Sequence, residues 1–276
     1  MKVKQLLLGA VTGLAAAALI AGCGGEKKDA APAKADGPVT IKVGVSPVPH
    51  AEILNTVKDK LAKEGVNVEA VEFTDYVQPN LALSDKSLDA NYFQHKPYLD
   101  QFCKDRSLKL TAIGSVHLEP MGVYSRKVED LKDLSDGAHI AIPNDPTNGG
   151  RALLVLQKAG LIKLRDGAPI TATPQDIAEN PKNLQFSELE APQLPRSLDD
   201  ADVAVINCNF AMEAGLNPVK DAIYTEGSDS PYANIVAVRE GDENRPEIKK
   251  LMQALQSQEV KDFIAKKYNG AVTAAF

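Results

Sequence analysis

The stretch Leu88 to Tyr98, LDANYFQHKPY, gathers three aromatic rings, a histidine and a proline in a chain whose aromatic content is only 5%. Taken singly, Tyr92, Phe93 and Tyr98 each read as core residues. His95 among them changes the balance, because a polar ring inside an aromatic cluster needs a hydrogen-bond partner. Alternation over Leu88–Phe93 predicts a short strand, and Pro97 suits the first turn of a helix that Tyr98, Leu99 and Phe102 continue. Such a strand-to-helix corner presents side chains, and it is where we expect a small ligand to be held.

Asn144 to Arg151 (NDPTNGGR) is the second stretch with chemistry in it. It is expected as a loop that leaves a strand end, passes two glycines and enters a helix N-terminus. Unpaired N–H groups of a first helical turn receive anions, and Arg151 adds a forked pair of donors matched to a carboxylate. The plainer reading is a glycine-rich turn with Arg151 on a solvated face. A phosphate loop is excluded, since no Gly-Lys-Ser/Thr follows the glycines. Asn207 and Asn209 flank Cys208 after the apolar run Val203–Ile206, and Asn234 stands in another mostly apolar segment. Amides donate and accept at once, which suits a zwitterion, and the residues themselves do not choose between Asn207 and Asn209. Glu119, before Pro120, is open to two readings: it faces a ligand ammonium, or it is a surface charge.

No G-x-S-x-G, H-E-x-x-H or C-x-x-C pattern occurs, so we expect a binding protein, with no enzymatic activity and no cofactor. The catalytic alternative is an exported hydrolase using His95 with Glu119 or Asp75. The four histidines are scattered. His50, His117 and His139 brought together with a carboxylate would make a metal site, and a metal-binding protein is the other alternative. Individually, His50 and His139 read as a helix-start residue and a strand residue.

The elements that must position these groups begin after an export signal. Lys2 and Lys4 precede the apolar run Leu6–Ile20, and Ile20-Ala21-Gly22-Cys23 resembles the lipobox at which bacterial lipoprotein signal peptides are cut and the cysteine acylated. The expected organisation is a signal peptide over 1–22 and a lipidated, solvated tether over 23–38 that leaves the body extracytoplasmic. Strands are predicted at Val39–Val45, Asn67–Phe73, Leu110–His117, Met121–Tyr124, Ala138–Pro143, Leu184–Leu189, Val203–Asn207 and Ser230–Arg239. Helices are predicted at Pro49–Lys63, Gln78–Ser84, from Pro97 to about Arg106, from Leu153 to Gly160, at Arg245–Gln256 and at Gln258–Tyr268. Thr173–Asp176 offers a capping box for a short helix through Glu179. Strand and helix alternate, so the class is α/β, with a chain crossing near Glu119 that divides the body into 39–122 plus 236–276 and 123–235. Net charge is −6 with no basic run, which argues against nucleic acid as a partner. Cys103 and Cys208 are expected to be unpaired small hydrophobes.

Four motifs in order carry a family likeness: FTDYVQPN (Phe73–Asn80), NYFQHKPYLDQ (Asn91–Gln101), PNDPTNGGRALLVLQ (Pro143–Gln157) and ENPKNLQFSELEAPQLPRSLDDA (Glu179–Ala201). With the lipobox and the SPYAN segment, they make the sequence resemble the NlpA lipoprotein family, whose methionine-binding members serve ABC importers. The resemblance implies a two-lobed, type II-like periplasmic-binding-protein fold with two crossover segments and an amino-acid ligand in the cleft. It further implies that Tyr76, Phe93 and Tyr98 wall a side-chain pocket, that His95 and Arg151 meet polar groups with Arg151 on the α-carboxylate, and that Asn207 and Asn234 complete the hydrogen bonds. Methionine of either hand and a methionyl dipeptide are all within the implied ligand class. The implied partners are a transporter permease with its ATPase subunits, and the membrane that holds the lipid on Cys23.

Overall fold

The computed structural model describes residues 37–227 and 230–276; the expected signal peptide, the acylation site Cys23 and nearly all of the tether lie outside the described residues. No helix among the described residues is long and apolar enough to cross a membrane. The chain runs β1 (Val39–Val45), α1 (Glu52–Lys63), β2 (Val66–Glu72), α2 (Gln78–Ser84), β3 (Ala90–His95), α3 (Lys96–Arg106), β4 (Leu110–Leu118) and β5 (Gly122–Tyr124). It continues through β6 (His139–Pro143), α4 (Pro146–Lys158), β7 (Lys163–Leu164), β8 (Ile177–Glu179), β9 (Gln185–Leu189), α5 (Leu194–Ser197), β10 (Val203–Ile206) and α6 (Cys208–Glu213). It ends with β11 (Tyr224–Thr225), β12 (Asn234–Arg239), α7 (Pro246–Leu255), α8 (Gln258–Tyr268) and β13 (Thr273–Ala274).

Two principal sheets define two lobes. One is ordered β13-β4-β12-β3-β1-β2, the other β11-β5-β10-β6-β9. In the first, β1 pairs in parallel with β2 and β3, while β12 runs antiparallel between β3 and β4. In the second, β10 pairs in parallel with β6 and antiparallel with β5. The chain passes between sheets twice, through Glu119–Met121 and again between Thr225 and Asn234. Pairing begins close to these crossings: Gly122, expected in the first lobe, pairs in the second sheet, and Asn234 and Ile235, expected in the second, pair in the first.

Each lobe has its own apolar core. Ile53, Leu54, Val57 and Leu61 recur at helical spacing along α1 and pack beneath Ile41, Val43 and Val45 of β1 and against α7 and α8. The second core joins Ile140 and Ile142 of β6 to Leu153 and Leu156 of α4 and Val203 and Val205 of β10. Cys103 and Cys208 are both free; Cys208 is buried in the first core although the chain reaches it from the second sheet.

Three further expectations change. Helix α4 starts at Pro146 with Asp145 as its N-cap, so Gly149, Gly150 and Arg151 are helical and not loop residues. Glycine costs helix stability, but a Cβ on Gly150 would lie 2.1 Å from the Ile170 carbonyl oxygen, so the position is one of close backbone approach. The Thr173/Asp176 capping box is present, yet the helix it caps is a single 3₁₀ turn, and Ile177–Glu179 leaves it as β8 to pair with β7. The strand expected from Ser230 begins at Asn234, four residues later, where pairing with His95 and His117 starts.

Candidate functional site

A small cavity lies at the meeting of the lobes, lined by side chains from both. Tyr76, Phe93, His95 and Tyr98 reach it from the first lobe, Arg151 and Asn207 from the second, and Asn234 from the start of β12. All seven residues expected there line its wall. Gln94, Glu119, Asn148, Cys208 and Asn209 complete the lining.

The β3–α3 corner orders the first wall. Every residue of β3 is buried, and His95 ends it as the N-cap of α3. His95 Nδ1 accepts the Tyr98 backbone N–H at 3.1 Å, so Nε2 carries the proton and donates to Asn148 Oδ1 at 3.0 Å. Burial, aided by the charge of Arg151, lowers the His95 pKa to about 3 and keeps the ring neutral. Tyr98 donates its hydroxyl to the Tyr76 carbonyl, and Tyr76 donates in turn to Asn209 Oδ1 across the cleft. The Tyr76 ring sits 6.0 Å from Phe93, 5.9 Å from Tyr98 and 4.9 Å from Phe210, within the 4.5–7 Å separation of favourable aromatic pairs. Phe210 gave no sequence signal, because α6 is only six residues long and shows no periodicity.

The amides carry the next layer. Asn148 Oδ1 also accepts from Asn207 Nδ2 at 2.9 Å, and Asn148 Nδ2 donates to Asp145. On the cavity-lining amides, two buried atoms have no hydrogen-bond partner among the described residues: Asn207 Oδ1 and Asn209 Nδ2. A buried acceptor and a buried donor left open on a cavity wall are the groups a polar ligand satisfies. Asn234 Oδ1 accepts from His50 Nε2 at 3.0 Å.

Glu119 is 5% exposed and faces this cavity, so the surface-charge reading fails. Tyr92 donates to His117 Nδ1, which leaves Nε2–H to donate to Glu119 Oε1 at 2.6 Å; His50 Nε2 lies 3.4 Å from the same oxygen. His139, exposed at the start of β6, is outside this group. His50, His117 and Glu119 offer donor atoms within 4.8 Å of one another, the arrangement among the described residues most like a metal-ligand set. Their hydrogen bonds with one another, Tyr92 and Asn234 already use both nitrogens of His117 and one of His50. Asp75 instead caps α2, accepting from Val77 and Gln78 N–H, and His95 has both nitrogens engaged. Neither pairing proposed for a hydrolase is formed.

Arg151 is 3% exposed and is not the free fork expected of it. Its Nε and Nη2 meet the Glu226 carboxylate at 2.5–3.2 Å, and Nη2 also donates to the Glu119 carbonyl at 2.8 Å. The helix end expected to receive an anion is occupied as well, since Asp145 accepts the Asn148 N–H at 2.9 Å. Glu226 was not anticipated: it stands in a polar stretch without periodicity, and only the three-dimensional fold brings it to Arg151.

Residues 41–276 match the NlpA lipoprotein family. The chain belongs to that family. It is 49% identical over 274 residues to the D-methionine-binding lipoprotein MetQ of Salmonella typhi, with 98% of each chain covered. A nutrient-binding protein from Burkholderia cenocepacia bound to methionine is 53% identical, with a TM-score of 0.83 over 86% of this chain and all of that one. A putative methionine-binding lipoprotein of Bacillus subtilis is 44% identical, again at 0.83, over 86% of this chain and 98% of that one.

In this NlpA-family protein the buried histidines set how the site responds to acid. Burial lowers His50 to about 4, with Glu119 acting in the opposite sense, and lowers His117 to about 3. With His95 they bind no proton in the folded state near neutrality, whereas each binds one in the unfolded chain below about pH 6.5. Their stabilisation is therefore complete above that pH and is lost as pH falls towards about 4 for His50 and about 3 for the other two. Glu119, raised by burial, takes up its proton earlier in the folded state and offsets part of the loss. We expect the melting temperature of ligand-free protein to hold steady down to about pH 6.5 and to fall steeply by about pH 4. Replacing His117 by Gln should make that fall shallower. An unchanged melting temperature across the interval would contradict these assignments.

Proposed function

We propose that the protein is the substrate-binding lipoprotein of an ABC importer and captures methionine as a zwitterion in the inter-lobe cavity. The observation that carries this reading is the polarity of one cavity: a buried guanidinium at Arg151, a buried carboxylate at Glu119, and open amide atoms on Asn207 and Asn209. Arg151 meets the α-carboxylate, Glu119 the ammonium, and Asn207, Asn209 and Asn234 complete the polar contacts. Tyr76, Phe93 and Tyr98 take the side chain. A thioether against an aromatic ring gains only about 0.3–1.5 kcal/mol per contact, so shape and burial supply much of the discrimination. The names of the relatives, one a D-methionine-binding lipoprotein and one bound to methionine, support methionine as the amino acid, and the proposal covers both its L and D forms.

Capture needs no bond making. Closing the lobes removes water from both charges of the ligand, and each charge-assisted contact then strengthens in the lower dielectric. The closed shape is what a transporter permease would recognise, and ATP hydrolysis belongs to its ATPase subunits. Acylation at Cys23 holds the protein at the membrane, facing the periplasm. Cys23→Ala should abolish processing after Gly22, read as an unshifted precursor on a denaturing gel; cleavage at the same place would refute the anchor.

Protein emptied of ligand should gain thermal stability with methionine, by about 2.7 kcal/mol at a hundredfold excess over Kd. Arg151→Ala should lose on the order of 2–5 kcal/mol of binding in calorimetry while keeping its circular-dichroism spectrum, the range for truncating one member of a buried charge pair. Near-normal affinity in folded Arg151→Ala would move the carboxylate elsewhere and overturn this site.

A further inference from the structure

The guanidinium that this reading assigns to the ligand is held by protein groups from outside its own helix. An arginine has five N–H donors, one on Nε and two on each Nη. Nε and one donor of Nη2 face Glu226, and Nη2 also reaches the Glu119 carbonyl. Nη1 makes no hydrogen bond to any described residue. The Tyr232 ring lies against the guanidinium plane, 4.3 Å from its carbon. Glu226 and Tyr232 both belong to the second crossover, and Glu119 to the first.

We propose that Glu226 is the positioning residue for Arg151: from the second crossover it fixes the Nε–Nη2 edge, so that Nη1 is the nitrogen presented to the ligand carboxylate. The inference rests on the zwitterion reading of the cavity and adds to it a residue outside the cavity wall. Three consequences follow from the geometry. A guanidinium with one edge already paired approaches the carboxylate at a single nitrogen, so its placement matters more than its unbalanced charge. The side chain of Glu226 is 7% exposed, so its charge is buried and needs Arg151 as much as Arg151 needs it. Because Arg151 sits on α4 of the second lobe yet is gripped by both crossovers, carboxylate binding is mechanically tied to the two segments that must bend when the lobes part.

A merely structural ion pair would affect every ligand alike, whereas a positioning residue acts through the carboxylate. The test is calorimetry of ligand-free protein with methionine and with methioninamide, which keeps the ammonium and thioether and lacks the carboxylate. Glu226→Gln should weaken methionine on the order of tenfold, the size of a coupling between contacting residues, and leave methioninamide unchanged within about twofold. Glu226→Asp retains the charge and should recover part of the methionine affinity. Should Glu226→Gln fail to fold, Glu226→Asp carries the same contrast, weakening methionine several-fold relative to the natural protein and leaving methioninamide unaffected. Equal losses for the two ligands would overturn the proposal, as would unchanged or tighter methionine binding. If the natural protein does not bind methionine, the zwitterion reading falls and this inference with it; if it binds and Glu226 is indifferent, the inference alone falls.

Discussion

A guanidinium 3% exposed to solvent is the constraint on which the arrangement depends. An unpaired charge at such depth costs several kcal/mol, and the fold meets that cost by bringing two further segments to Arg151. Helix α4 supplies the side chain, the first crossover a carbonyl, and the second crossover a carboxylate and an aromatic face. The two lobes are therefore joined at Arg151, and a ligand carboxylate bound as proposed would enter a charge network that is balanced on one edge and open on the other.

The opposite pole follows the same logic with different chemistry. Glu119 is held by neutral histidines, His117 being fixed in its tautomer by Tyr92. Neutral imidazoles donate hydrogen bonds to the carboxylate without cancelling its charge, so the negative pole remains available to a cation. Between the poles, His95 and the Asn148–Asn207 pair carry polarity, and the Tyr76, Phe93 and Tyr98 rings give an apolar wall that Phe210 backs through Tyr76. Such a cavity rewards a short zwitterion with one apolar arm. It penalises a ligand missing either charge, because a buried hydrogen-bonding group of the matching pole is then left without its partner.

Much of this was legible in the sequence, and the reasons are physical. The strand β1 and helix α1 were plain because period-2 and period-3.6 apolar patterns report burial directly. The β3–α3 corner was legible because proline and a cluster of rings have few other uses. Arg151 was found, but its setting was misread: two glycines suggested a loop, whereas close approach of residues 170–172 is what requires Gly150, and that contact is remote in sequence. The same limit hid Glu226 and Phe210, and it left unnamed the carboxylate, Glu119, that joins His50 and His117, since these residues meet only through tertiary packing. Of the three histidines that might have met, His139 dropped out because β6 places it at an exposed strand start in the other sheet.

The central claim, that two buried poles of opposite charge select a zwitterion, is tested most directly at the pole that Glu119 supplies. The measurement is calorimetric titration of ligand-free protein with methionine and with N-acetylmethionine, which keeps the carboxylate and thioether but has no ammonium. The account predicts tight binding of methionine and a loss of roughly 2–5 kcal/mol or more for the acetylated form, the penalty for leaving one member of a buried charge pair unmatched. Comparable affinities for the two would contradict it.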